Sequence, residues 1–161
     1  MDGNASLIRR WLTPVRGALL FVTTGCAQPA VTAAVNIPPV PQGEARIWYY
    51  RAYEPYAGKG LPAIATNGEY VGAAELGGAF YRDVHPGQYV VTVETTGVDV
   101  NQVARFDLAL GQTAYVKIVS NPEWVSGGNR VEWERPTFYA WRIPNEIAQA
   151  AVAQLSFLGG S

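Results

Sequence analysis

From Glu44 onward, apolar and polar positions repeatedly alternate with a period of two, the signature of half-buried strands. Ile47-Trp48-Tyr49-Tyr50 is dense in aromatic and β-branched residues, which suit a pleated surface. Leu61 to Thr66 is a short apolar run, followed by Asn67-Gly68 and then Glu69-Tyr70-Val71-Gly72. An Asn-Gly pair between two such runs predicts a hairpin, because both central positions of a type I′ turn need positive φ. Ala79 to Asp83 reads as the next strand. His85-Pro86-Gly87 predicts a turn after it, with Pro presetting φ and Gly accepting a positive φ. Tyr89 to Thr96 then sets Tyr89, Val91 and Val93 against Thr92 and Glu94.

The alternation continues downstream. Ala104, Phe106, Leu108 and Leu110 form one face of a strand whose other face carries Arg105 and Asp107. Gly111-Gln112 is a turn signal. Ala114, Val116 and Ile118 then oppose Thr113, Tyr115 and Lys117. A last strand region, Val131 to Ile143, contains Pro136, which marks an edge, a bend or a bulge because proline cannot donate to a ladder. After Pro144 the period changes: Ile147, Ala148, Ala151, Val152 and Leu155 fall at helical spacing, and Gly159-Gly160 closes the run. Seven or eight short strands with one C-terminal helix predict a mainly β domain, an antiparallel sandwich or barrel-like body, over residues 44–158. The helix is expected to lay its apolar stripe on a sheet or to cover an edge.

Residues 1–25 have a different texture. Arg9, Arg10 and Arg16 precede the apolar Gly17-Ala18-Leu19-Leu20-Phe21-Val22, and small residues follow, the layout of a secretory signal peptide. That apolar core is far below the ~20 residues a helix needs to span a bilayer. Thr23-Thr24-Gly25-Cys26 resembles a bacterial lipobox, with Thr23 where the pattern prefers Leu. The resemblance implies lipidation of Cys26 and anchoring to a membrane, and Ala27 after it leans toward the outer membrane. Each buried CH₂ of an acyl chain contributes ~0.8 kcal/mol, so several chains hold a folded domain firmly. Residues 27–43 carry no charge and include Pro29, Pro38, Pro39 and Pro41, which favour extended polyproline geometry. Residues 26–43 thus read as a lipidated cysteine with a tether, reaching roughly 50 Å at ~3.1 Å per residue.

Composition narrows the possible chemistry. The 161-residue chain is 48% apolar and 16% charged, which argues against wholesale disorder. Its formal net charge is −1. Of 12 basic and 13 acidic side chains, removal of the first 25 residues takes Arg9, Arg10, Arg16 and Asp2, leaving 9 and 12, a net of −3. No basic excess is present to neutralise phosphates, so nucleic acid is not an expected partner, and charge alone would not draw the chain to anionic lipid. A single Cys and a single His exclude a disulfide framework and a multi-histidine metal site, so no metal or cofactor is expected.

Taken in order, ARIWYYR (45–51), NGEYVG (67–72), FYRDVHPGQYVVTVET (80–95), GQTAYVKI (111–118) and ERPTFYAW (134–141) resemble bacterial lipoproteins carrying the "domain of unknown function 2846". The resemblance spans roughly residues 44–157. It implies an envelope lipoprotein with an immunoglobulin-like or transthyretin-like β fold, and it brings no established activity.

Catalytic constellations are not legible in the sequence. His85 is the one side-chain candidate for proton transfer, and Asp83 lies two residues away; a solvated turn residue is the plainer reading. Glu123, Glu132 and Glu134 are the nearest approach to a carboxylate cluster, equally readable as an exposed face opposite Val131 and Trp133. Neither a Gly-x-Ser-x-Gly elbow nor a phosphate-binding loop occurs. No catalytic residue is therefore expected. Aromatic residues are more suggestive. Trp48, Tyr49, Tyr50, Tyr53 and Tyr56 cluster early, and Trp124, Trp133, Phe138, Tyr139 and Trp141 late. Trp48 and Tyr50 face one way and Tyr49 and Tyr53 the other, so either sheet and helix cover both faces or some rings reach a surface. Trp124, Trp141 and Tyr53 are the candidate contacts for an envelope protein, glycan or peptide.

Overall fold

A computed structural model describes residues 36–55, 57–95, 103–126 and 132–161, with the side chains of 122–126 and 132–135 left out of the description. The chain divides into two units, Met1–Ala34 and Val35–Ser161, and all described residues lie in the second. The signal segment, Cys26 and most of the tether therefore fall outside the described residues.

Among the described residues nine strands and one helix follow in order: β1 Ala45–Arg51, β2 Ala63–Thr66, β3 Glu69–Ala73, β4 Gly78–Val84, β5 Gly87–Val93, β6 Ala104–Leu108, β7 Thr113–Ser126, β8 Glu132–Ile143, α1 Asn145–Val152 and β9 Ser156–Gly160. They build a sandwich of a five-stranded sheet, β8-β7-β1-β4-β9, and a four-stranded sheet, β3-β2-β5-β6. The expected β-sandwich with a short C-terminal helix is the fold observed. Most neighbours are antiparallel, but β1 runs parallel to β7 and β4 parallel to β9.

Local turn chemistry accounts for several joints. Asn67 (φ 50°) and Gly68 (φ 86°) form the β2–β3 hairpin turn, with the two positive φ values that a type I′ turn requires. Pro136 lies on β8, the edge of its sheet, where a missing N–H leaves no ladder bond unmade. The His85-Pro86-Gly87 expectation is corrected: Gly87 lacks a positive φ and opens β5. β4 and β5 belong to different sheets, so this link crosses between layers and needs no tight hairpin turn.

The core sits between the sheets. Ala45, Ile47 and Tyr49 of β1 pack there with Ala114, Val116, Ile118, Phe80, Ile64, Val91 and Phe138. Each of the isoleucine, valine and phenylalanine side chains contributes about 1.5–3 kcal/mol by leaving water. Tyr49 also reaches the Thr66 hydroxyl of the other sheet at 2.7 Å. The opposite face of β1 is covered too. Trp48 and Tyr50 form a second cluster with Ala79, Tyr81 and Tyr115 under Ala148, Ala151 and Val152 of α1. The helix thus roofs the outer face of the five-stranded sheet. Its stripe is narrower than the spacing predicted, because Ile147 points to solvent. Leu110 is likewise exposed, placed in the β6–β7 turn by Gly111 at φ 71°.

Gly159-Gly160 does not close a helix. Both residues belong to β9, which adds to the edge of β4 in parallel. A Cβ at Gly160 would lie 2.0 Å from the Tyr81 ring, so this close approach needs glycine.

Arginines close the borders of the sandwich. Arg82 of β4 donates to the Val71 carbonyl of β3 at 2.7 Å, while Arg142 of β8 lies over the Phe106 ring of β6 at 5.0 Å.

Candidate functional site

Register places the outer-face residues in rows. One row crosses the sheet as Trp141, Lys117, Tyr50, Ala79 and Phe157. The next runs Ile143, Tyr115, Trp48, Tyr81. Helix α1 covers the middle of both. Its start is held by Asn145 Nδ2, which donates to the Thr113 carbonyl at 3.0 Å, and Gln149 bonds the Tyr115 side chain. Burial beneath the helix raises the Tyr50 and Tyr115 hydroxyls above their ordinary pKa.

Toward β8 the roof ends and the aromatic surface opens. Trp141 is 53% exposed, and its ring lies 6.2 Å from that of Tyr139 at 48°. Beside it, Lys117 Nζ is ion-paired with Glu54, both partly shielded from solvent. Glu54 directly follows Tyr53, which is 74% exposed. The Tyr53 ring rests against Gly77, where a Cβ would lie 2.2 Å away. Two of the three aromatic residues singled out from sequence, Trp141 and Tyr53, thus flank one ion pair. For Trp124 only the backbone is described, opposite Glu134 in the β7–β8 ribbon; its side chain lies outside the described residues. Tyr53 does not continue the alternation of β1, which ends at Arg51.

The loop carrying Tyr53 and Glu54 is organised by a residue whose role the sequence did not reveal. Arg51 is buried, and its guanidinium donates to the carbonyls of Gly60 at 2.8 Å, Ala74 at 3.2 Å and Gly58. Burial lowers its pKa, and the Coulombic pull of Glu54 opposes that shift. Gly58 N–H further donates to Ser120 Oγ at 2.8 Å, which ties the loop to β7. The loop is therefore a braced support for the exposed Tyr53 and the partly shielded Glu54.

The other candidates stay apart. Both Asp83 carboxylate oxygens accept from Arg46, at 2.6 and 2.8 Å, while His85 is exposed and its carbonyl accepts the Tyr89 hydroxyl. No hydrogen bond joins Asp83 to His85 among the described residues. The side chains of Glu123, Glu132 and Glu134 lie outside them. Among the described residues no three His, Cys, Asp or Glu side chains converge as a metal site requires. An open cleft of about 310 Å³ on β5–β6, lined by Gln88, Val90, Arg105 and Asp107, belongs to the four-stranded sheet. Among the described residues no helix is long and apolar enough to cross a membrane.

No protein-family model and no curated protein matches this chain.

The strip can do two things chemically. Its aromatic faces can stack on apolar surfaces, and the flanking ammonium and carboxylate can exchange hydrogen bonds with polar groups beside those surfaces.

Proposed function

We propose that this chain is an envelope lipoprotein, anchored through acyl groups on Cys26 at the periplasmic face of an outer membrane, whose β-sandwich serves a non-catalytic structural or protein-interaction role. The lipobox-like Thr24-Gly25-Cys26 and the uncharged, proline-bearing segment after it support the anchor. The ordered resemblance to domain of unknown function 2846 lipoproteins supports the same placement. The observation that carries the interaction role is the exposed Trp141, its ring tilted against that of Tyr139 and set beside the Lys117–Glu54 pair on a rigid sheet. Interfaces are enriched in such aromatic anchors, and a sheet holds them with little entropy left to lose.

Two experiments test the two halves. Globomycin treatment or Cys26→Ala is expected to move the protein out of the membrane fraction; unchanged fractionation rejects the anchor. Crosslinking with mass spectrometry is expected to place partner peptides near Trp141 and to lose them in Trp141→Ala. Crosslinks that ignore this residue reject the strip.

A second reading is a module that binds envelope glycan or peptide. The same aromatic ring beside a charged pair favours it, because pyranose faces stack on tryptophan while hydroxyls bond to Lys and Glu. Retention on peptidoglycan that falls in both Trp141→Ala and Tyr53→Ala supports this reading, and retention indifferent to both removes it.

A further inference from the structure

We propose that Arg46 forms a binding site for an extended proline-type segment, and that its occupant is the chain's own Pro38-Pro39, strapped back onto the domain. The Arg46 guanidinium is 3% exposed as a residue and spends its donors in two directions. Nε and Nη2 grip Asp83 at 2.6 and 2.8 Å. Nη1 donates to the Pro38 carbonyl at 2.7 Å, and Nη2 also to the Pro39 carbonyl at 3.4 Å. The guanidinium lies 3.8 Å from the centroid of the Tyr81 ring, which fixes its plane from one side. A planar fork held on one edge by a carboxylate, with its remaining donors aimed outward, is suited to neighbouring carbonyls of an extended chain.

The segment is built to arrive there. Pro41-Gln42-Gly43-Glu44 closes a turn, with Glu44 N–H donating to the Pro41 carbonyl at 3.2 Å and Gly43 at φ 90°, as a type II turn requires. The turn folds residues 37–41 back toward the start of β1. Every residue from Ile37 to Pro41 is either a proline or precedes one, so each is already restricted to extended geometry. Little conformational entropy remains to be lost on docking. Prolines also bring carbonyls without competing N–H donors, which is what a guanidinium needs.

The consequence is mechanical. A tether read as free up to residue 43 has its last part fastened to the domain, so only the residues before Ile37 act as a spacer. Fully extended at ~3.1 Å per residue, a spacer over residues 27–36 would reach about 31 Å, in place of roughly 50 Å for residues 27–43. The strap holds Pro38 and Pro39 beside the Arg46–Asp83 end of β1 and β4. The inference does not depend on what the N-terminus is attached to.

The test uses the full chain with Cys26→Ser, nitroxide-labelled at Ile37→Cys and at Asp107→Cys on β6, and reads the distance distribution by pulsed electron resonance. A single narrow distance is expected. Arg46→Lys keeps a cation but loses the fork, and P38G/P39G keeps both carbonyls but loses the pre-set geometry. Either variant is expected to broaden the distribution by about 10 Å, the spread of a released segment of this length. A broad distribution with Arg46 and both prolines intact overturns the proposal, as does a distribution that stays narrow in both variants. Should Arg46→Lys lose its near-ultraviolet aromatic signal and so its fold, P38G/P39G decides: broadening supports the strap and an unchanged width rejects it.

Discussion

The Tyr49 hydroxyl meets Thr66 Oγ1 at 2.7 Å in the interior of the sandwich, a polar link between the two sheets surrounded by apolar side chains. Such a bond is worth about 1 kcal/mol net, but an unpaired buried hydroxyl costs about 1–3 kcal/mol. Burial is the main reason that the Tyr49 hydroxyl is pushed from 10 up to about 12, partly offset by the Thr66 bond.

This pair predicts a pH effect with a definite sign. The folded state holds the tyrosine proton more tightly than the unfolded chain does, so its contribution is complete below pH 10. It is lost as pH rises from about 10 to about 12, up to roughly 2–3 kcal/mol. Tyr49→Phe is expected to be less stable than the parent near pH 7 by about 1 kcal/mol, because Thr66 loses its partner. The variant should then lose less stability at alkaline pH, so the two urea midpoints converge or cross above pH 10. Parallel curves over that range would show that Tyr49 is not the group responsible.

Arg51 brings a different expectation. Arg51→Met is close in length and removes a buried charge, yet the carbonyls of Gly58, Gly60 and Ala74 remain where they are. Stranded acceptors cost about 1–3 kcal/mol each, so a loss of about 3 kcal/mol or more is expected in urea unfolding. Faster amide exchange over residues 52–62 should accompany it. A loss below 1 kcal/mol would mean that water replaces the guanidinium freely.

Gly160→Ala tests the closing strand. The added methyl would meet the Tyr81 ring at 2.0 Å. Either β9 shifts away from β4 or the aromatic cluster repacks, and a cost of about 1–3 kcal/mol is expected. Calorimetry measures that loss, and hydrogen exchange at Phe157 and Leu158 shows which of the two has moved.

Trp141 is expected to behave in the opposite way. With half of its surface already in water, Trp141→Ala should cost less than about 1.5 kcal/mol of stability. Loss of crosslinked partners at nearly unchanged melting temperature would separate recognition from folding. A large drop in melting temperature would instead make Trp141 part of the core.

Much of the architecture was readable along the chain because it is local. Asn67-Gly68 specifies its turn through two residues that tolerate positive φ, and Ala114, Val116 and Ile118 announce their face by a period of two. Pro136, which lacks a donor, allowed an edge, a bend or a bulge, and the sheet order makes it an edge. The Pro86-Gly87 turn misled because the same dipeptide suits a hairpin and a crossing between layers. Ser156–Gly160 was not legible as a strand, since five residues with two glycines carry no periodic signal and take strand form only against β4.

The candidate strip was half legible. Trp141 and Tyr53 stood out as aromatic residues, but nothing local joins them to Lys117, 24 and 64 positions away respectively; Glu54 and strand register bring them to it. The carbonyl acceptors of Arg46 and Arg51 were hidden for the same reason: turns and other strands bring them to the guanidinium.

The sequence by itself determined the strands before the helix, most of their turns, the helix and the two aromatic faces of β1, because alternation and φ preferences act between neighbours. Only the tertiary structure decided that β1 pairs in parallel with β7, that α1 roofs Trp48 and leaves Trp141 open, and that Arg46 holds Pro38 and Pro39. These choices depend on burying two faces of one sheet at once and on satisfying buried donors with acceptors distant along the chain. That balance is struck across the whole fold, and no short window of residues contains it.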